Sequence, residues 1–399
     1  MGGAGPDWIP EGAAFGVDEM VFYAGQPERT LDDALATVDL IVTGPHASAA
    51  FPAEVRPFVD ERLTQRLQYD FTDVSTSPVA RRWAERDPRV LYVENPHPRA
   101  VRDANRARPD DLRARLQEAF RRIVDAGEGG RPALDGVDAV RPVTFGYVPV
   151  LRPPSTGAEW DALVDALVAA GRNGVDVYES VRDELISRAV AAKLARLATL
   201  DLGSLAPAER TSATTLLVLS LHDTMNRTAR PDGAICVERA PADRLPAVVA
   251  LSNRGGPDGA VRPSATGELL AEVDVPTLDA PTLRAVADSY RWAFDAHDAD
   301  DVAFNRPYLG GYETQRAGPA LRALAPRAVV ATADGATAAL RLGAWQDEFR
   351  REFLLGPEAT EALTVPGETW HGPPDDRVAH LAERLAAAHD HFLAHAPAP

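Results

Sequence analysis

The run Thr214-Thr215-Leu216-Leu217-Val218-Leu219-Ser220-Leu221 is the strongest strand signal in the chain, and the residue that follows it is His222. Seven of these eight residues are apolar or β-branched, and a run with so little polar alternation reads as a strand buried on both faces. A second short apolar run, Val38-Asp39-Leu40-Ile41-Val42-Thr43-Gly44, stops at Gly44-Pro45 and delivers His46. In open α/β sheets, ligands bind in the crevice beyond the carboxyl ends of the strands. A metal ligand or a catalytic base suits that place twice over. The competing reading for each residue is a histidine that caps a strand end by a hydrogen bond to backbone.

The remaining pattern alternates strand and helix. Helical spacing covers Pro52–Gln68, Val79–Glu85, Leu112–Ala126, residues 157–200 with a break near Gly171–Gly174, Pro281–Ala296 and Val378–Leu393. Strand signals fall at Arg89–Glu94, Ala247–Ser252, the short run beginning at Val302, and Thr337–Trp345, with Val143–Leu151 as an extended connection. Glu348 then lies just past a late strand. Such alternation predicts an α/β fold: a central mixed, largely parallel β-sheet flanked by helices on both faces. Residues 1–37, rich in Gly, Pro and acid, read as an irregular N-terminal arm with one short helix near Leu31–Thr37. Residues 38–399 read as a single catalytic domain with a helical insertion near 157–200.

Composition narrows the function. The net charge of −17 over 399 residues argues against nucleic acid and against an anionic membrane surface as partners. No apolar run approaches the roughly 18 residues of a membrane span. Met1-Gly-Gly-Ala-Gly-Pro has no secretory pattern, so a cytoplasmic protein is the expectation. Cys236 is the only cysteine, which excludes an intrachain disulfide and a cysteine-based zinc site. Lys193 is the only lysine and sits in a helical pattern. Gly127–Gly136 contains no phosphate-loop pattern.

Nine histidines are present, five of them in the C-terminal 29 residues: His371, His380, His389, His391 and His395. The last three of that group to fall on the closing helix, His389, His391 and His395, are read as surface residues. His46 and His222 remain as the pair that two buried strands deliver. Two histidines plus a carboxylate, with one position open to water, is the common catalytic zinc set.

The order of several motifs resembles the N-formylglutamate amidohydrolase family. They are Gly44-Pro45-His46-Ala47-Ser48-Ala49-Ala50-Phe51-Pro52, the turn from Asp73 to Ala80, Arg99 with Asp103-Ala104-Asn105-Arg106 and Pro109, Leu219-Ser220-Leu221-His222, Asn305-Arg306-Pro307-Tyr308-Leu309-Gly310-Gly311-Tyr312-Glu313-Thr314, and Gln346-Asp347-Glu348-Phe349-Arg350-Arg351. The resemblance implies the fold of zinc carboxypeptidases and a Zn²⁺-dependent amidohydrolase of an N-formyl or N-acyl amino acid. Ala49 stands where the glutamate of a His-x-x-Glu pair would be. The third ligand beside His46 and His222 is therefore assigned to Asp73, with Asp70 as the fallback. Glu348 becomes the catalytic base, and Arg99, Asn105, Arg106, Tyr312 and Arg351 the substrate-binding residues. The partner is a small molecule carrying a carboxylate, and a homo-oligomer is left open. The alternatives are a deacylase or amidase of another small amide, or a catalytically inactive homologue acting as a binding protein.

Overall fold

In the computed structural model, residues 5–127, 130–262 and 275–397 are described. Seven strands form the central sheet: β1 (Val21–Tyr23), β2 (Leu40–Gly44), β3 (Val90–Glu94), β4 (Thr215–Thr224), β5 (Val249–Ser252), β6 (Val302–Phe304) and β7 (Arg341–Arg350). Their spatial order is β6-β5-β7-β4-β2-β3-β1. The middle four, β7, β4, β2 and β3, are mutually parallel. β1 joins β3 antiparallel, β5 joins β7 antiparallel, and β6 runs parallel to β5. The sheet is mixed and mostly parallel, as the alternation of elements predicts.

Eight helices matter for the site: α1 (Leu31–Thr37), α2 (Thr76–Arg86), α3 (Leu112–Ala126), α4 (Gly157–Asn173), α5 (Val175–Leu197), α6 (Ala280–Phe294), α7 (Tyr312–Leu324) and α8 (Asp375–His395). Successive strand residues point to opposite faces. Val42, Leu217, Leu219, Leu221, Trp345 and Phe349 therefore pack on one side against Trp83 of α2, Tyr290 of α6 and Leu385 of α8. Ile41, Leu91, Val93 and Leu216 pack on the other, against Leu35 of α1 and Tyr178, Leu185 and Ala189 of α5. Each fully buried large side chain of this kind contributes about 2 kcal/mol to the hydrophobic term. Among the described residues, no helix is long and apolar enough to cross a membrane.

Several elements differ from the sequence reading. Pro52–Gln68 is not one helix but a 3-10 segment, Ala53–Phe58, and a separate helix, Gln65–Asp70. Pro57 lacks the N–H that a continuing helix needs and disfavours helical geometry before it. The chain then turns extended, with Asp60 N–H donating to the Val150 carbonyl at 2.9 Å and Val59 bridging Leu151. Thr64 restarts the helix by accepting from the Leu67 N–H at 3.3 Å. The extended connection at Val143–Leu151 is a loop held by that bridge and one from Val143 to Pro149.

β4 and β7 run longer than their apolar cores suggest. They pair residue by residue from Arg341 opposite Thr215 to Arg350 opposite Thr224. His222 and Glu348 consequently stand inside strands, not beyond them. His389 is not a surface residue: it is 7% exposed, with Nε2 3.1 Å from Asp39 and Nδ1 3.4 Å from Asp87. The N-terminal stretch supplies the edge strand β1 and the helix α1. The helical region at 157–200 breaks at Gly174, whose backbone (φ −137°, ψ −80°) is not helical, and the position is closed to a side chain because an added Cβ would lie 2.3 Å from the His97 ring. That break aims α5 so that Tyr178 and Arg182 reach under the strand ends.

A candidate metal centre at the carboxyl ends of the strands

His46 follows β2 by two residues, and the turn that carries it is fixed from β3. Asn95 N–H donates to the Gly44 carbonyl and its side-chain amide donates to the Pro45 carbonyl, both at 2.9 Å. Asp73 is brought to the same spot by backbone: its N–H donates to the His46 carbonyl at 2.9 Å. The start of α2, just beyond Asp73, is anchored by Asp223, whose carboxylate accepts from the N–H groups of Ser75 (3.1 Å) and Thr76 (3.0 Å). Orphan N–H groups at a helix start favour such an anion. Arg351 completes the anchor. It pairs with Asp223 and Asp70 and donates to the carbonyls of Asp70, Thr72 and Asp223.

The period of two in the strands then sets the face. Thr43, Ser220, His222, Gln346 and Glu348 share the side opposite Leu219, Leu221, Trp345 and Phe349. His46 Nδ1 lies 3.0 Å and His222 Nδ1 2.7 Å from the same oxygen, Asp73 Oδ2. One ligand atom from each of the three residues falls within 4.8 Å of the others, and all three side chains are buried. Each imidazole is held by its far nitrogen. His46 Nε2 is 2.6 Å from Asp103 Oδ1, and His222 Nε2 is 2.9 Å from Ser220 Oγ. Ligating histidines are oriented in this way, by a partner on the other ring nitrogen. Two imidazoles and one carboxylate are the donor set that Zn²⁺ takes. The residues present therefore fit a divalent zinc ion.

The electrostatics agree with a cation site. Burial alone would raise Asp73, but Arg99, His46 and His222 hold it well below the usual carboxylate range. Burial likewise opposes ionisation of Asp103, and His46 overcomes it. For His46, burial and Arg99 disfavour the charged form, yet Asp103 and Asp73 raise it. Arg99 places Nη2 2.5 Å from His46 Nδ1 and 2.9 Å from Asp73 Oδ1, so a positive group already faces the point where the ligand atoms converge. Glu348, 6% exposed, is pushed up by burial, with His222 opposing and Asp73 adding to the rise.

Of the residues singled out in the sequence, His46, Asp73, His222, Glu348, Arg99 and Asn105 come together. Asn105 lies 3.4 Å from His222 Nε2 through its amide nitrogen, and its oxygen accepts from the Glu313 N–H at 3.0 Å. Asp70 faces Arg351, 3.3 Å away, rather than the histidines. Arg106 is exposed and paired with Asp138 at 2.9 Å. Tyr312 opens α7, where its N–H donates to the Asn105 carbonyl at 3.3 Å. Arg351 is committed to the anchor already described.

Other residues join the site without having been singled out. Asp103 sits inside a quoted motif, as does Glu313, and Ser220 precedes His222 by one strand period. Arg141 and Arg239 carry no signal, being isolated arginines in an arginine-rich chain. Yet with Arg99 they surround the Phe145 ring, their guanidinium carbons 5.1, 5.4 and 5.0 Å from its centroid. Among the described residues neither Arg141 nor Arg239 has a carboxylate at ion-pair distance. Arg141 donates Nε to the Val143 carbonyl, and Arg239 reaches the Tyr308 hydroxyl at 3.4 Å.

Fold and centre together define an α/β protein with a candidate metal centre at the carboxyl ends of its strands. Residues 38–197 match the family described as N-formylglutamate amidohydrolase. The matched span holds His46, Asp73, Arg99, Asp103 and Asn105; His222, Glu313 and Glu348 lie beyond it. Two solved structures are similar. The N-formylglutamate amidohydrolase from Ralstonia eutropha JMP134 is 15% identical, with a TM-score of 0.43 and coverage of 92% of this chain and 96% of that one. A gene product from Agrobacterium tumefaciens is also 15% identical, with a TM-score of 0.40 and 90% of each chain covered. No curated protein matches the chain.

Proposed function

We propose that this chain is a zinc-dependent amidohydrolase that cleaves the C–N amide bond of an N-formyl or N-acyl amino acid, a substrate of the N-formylglutamate type. The observation that carries the reading is the convergence of His46, Asp73 and His222 on one point with Glu348 opposite His222 in the neighbouring strand. Zn²⁺ held by those three residues would supply Lewis acidity to the amide carbonyl and lower the pKa of water.

The chain's own residues supply the rest. Glu348 is buried, and its raised pKa suits a group that takes a proton from water and returns it to the leaving amine. Gln346 donates to Glu348 Oε2 at 3.0 Å and holds it in place. Asn105, beside His222, and Tyr312, whose N–H meets the Asn105 carbonyl, are assigned to polar substrate atoms. Arg99, Arg141 and Arg239 are assigned to the substrate carboxylate, because a guanidinium fork matches a carboxylate and among the described residues the latter two have no carboxylate at ion-pair distance. Arg106 and Arg351, tied to Asp138 and to Asp223 with Asp70, support this pocket from outside it.

Elemental analysis of the purified chain should give one zinc per chain, and N-formylglutamate should release formate. His46→Ala and His222→Ala should each lower both zinc content and activity. If neither substitution changes either quantity, the hydrolase reading is wrong.

A further inference from the structure

Beneath His222 lies a buried carboxylate that the mechanism does not use. Glu313, on the first turn of α7, is 4% exposed. Four donors converge on it. Thr43 Oγ1 (2.7 Å) and Ser220 Oγ (2.8 Å) meet Oε2; Tyr178 OH (2.7 Å) and Arg182 Nη1 (2.6 Å) meet Oε1. An ionised carboxylate has about four lone-pair sites and no proton to give. All four contacts therefore run toward Glu313. Arg182 stabilises that ionised form against the cost of burial.

This saturation has a directional consequence for Ser220. A hydroxyl carries one proton. Given to Glu313, it is not available to His222, so Ser220 Oγ can only accept from His222 Nε2, 2.9 Å away. With no cation present, Asp73 Oδ2, 2.7 Å from Nδ1, competes for the ring proton; with a cation at the point shared with His46 and Asp73, the proton of the neutral ring sits on Nε2, held by Ser220, and the Nδ1 lone pair faces that cation. Asn105 works against this arrangement. Its oxygen takes the Glu313 N–H, so its NH₂ is turned toward His222 Nε2 at 3.4 Å and would favour the other tautomer. Of the two contacts at Nε2, the shorter one to Ser220, backed by the Glu313 charge, outweighs Asn105.

We propose that Glu313 is a positioning residue that acts through Ser220 to hold His222 in the tautomer able to ligate a cation. On the other side of the centre, Asp103 does the same for His46 directly, at 2.6 Å. The two imidazoles are thus set by two carboxylates, one in contact and one through a serine. The proposal rests on the metal-centre reading above.

Zinc alone is the probe, titrated into metal-stripped full-length chain against a chromophoric chelator, with thermal melting as the control for folding. Ser220→Ala and Glu313→Gln should each weaken zinc binding by about 10–100-fold, the usual cost of losing a partner behind a ligand. Ser220→Thr, which keeps the hydroxyl, should restore it to within about threefold. Thr43→Val removes a donor from the same Glu313 oxygen but not the path to His222. It should lower the melting temperature while leaving zinc affinity within about threefold. Equal zinc affinity in parent, Ser220→Ala and Glu313→Gln overturns the relay and leaves the metal centre standing. Weakening by Thr43→Val as large as by Ser220→Ala also overturns it, since the cluster would then be merely structural. A parent that binds no zinc overturns the metal reading and the relay together. Should Glu313→Gln not fold, the contrast of Ser220→Ala with Ser220→Thr decides alone.

Discussion

His222 and Glu348 occupy opposite positions in two parallel strands, β4 and β7, and both side chains project to the face away from the Trp345 core. The distance between the proposed ligand and the proposed base is thus set by sheet register, which is stiffer than any loop. Substitution of Glu348 by Gln keeps the shape and removes the proton acceptor. It should lower kcat by about 10²–10⁴-fold, the range for loss of a general base, while zinc per chain stays at the parental value. A loss of zinc equal to the loss of activity would make Glu348 a ligand or a support instead.

Arg141 and Arg239 predict a split between substrates. Arg141→Gln and Arg239→Gln should raise KM for a carboxylate-bearing substrate by about tenfold each, from loss of one charge-assisted contact. An analogue whose carboxylate is converted to a neutral amide should respond to neither. Equal effects on both substrates would show that the two arginines shape the pocket without contacting the carboxylate.

Arg351 predicts a loss of stability rather than of binding. Arg351→Met leaves Asp223 and Asp70 buried without their cation, at a cost of about 3–5 kcal/mol. Urea unfolding of the metal-free protein should show it. A variant as stable as the parent but with a raised KM would return Arg351 to the substrate pocket.

His389 predicts a pH dependence remote from the metal centre. Burial disfavours its charge, but Asp39 and Asp87 outweigh burial and push the imidazole up to about 9. A pKa raised in the folded state stabilises fully below the unfolded value near 6.5, and the gain is lost as pH rises through about 9. Unfolding free energy should therefore fall between pH 6.5 and 9.5 by about 3 kcal/mol from this group, by linkage of the shift. In His389→Gln that segment of the profile should flatten. The same slope in parent and variant would assign the effect elsewhere.

The centre was legible where chemistry is carried by residue type at a strand end. His46 and His222 follow from two apolar runs, and the Asp73 turn and Glu348 follow from ordered motifs. Glu348 was nevertheless expected past its strand, because Gln346, Asp347 and Glu348 break the apolar pattern that marks a buried strand. Gln346 and Glu348 continue the ladder because their face is the site and not the core, while Asp347, on the core face, is satisfied by the Tyr290 hydroxyl and the Trp345 indole N–H. Asp103 and Glu313 were visible as letters of motifs but not as supports, since a supporting role depends on which atom faces which. Arg239 reaches Phe145 from a distant part of the chain and Arg141 from four residues away within an irregular loop, closenesses that periodicity does not encode. His389 misled because a histidine on an amphipathic helix reads as polar, whereas Asp39 and Asp87 give it a charged niche inside.

The outer strands of the sheet, Val21–Tyr23 and Val302–Phe304, are each three residues long. So short a border offers few free N–H and C=O groups to a second chain, and this is how natural sheets resist edge-to-edge aggregation. The borders of the sheet are accordingly ill suited to extending one copy's sheet into the next.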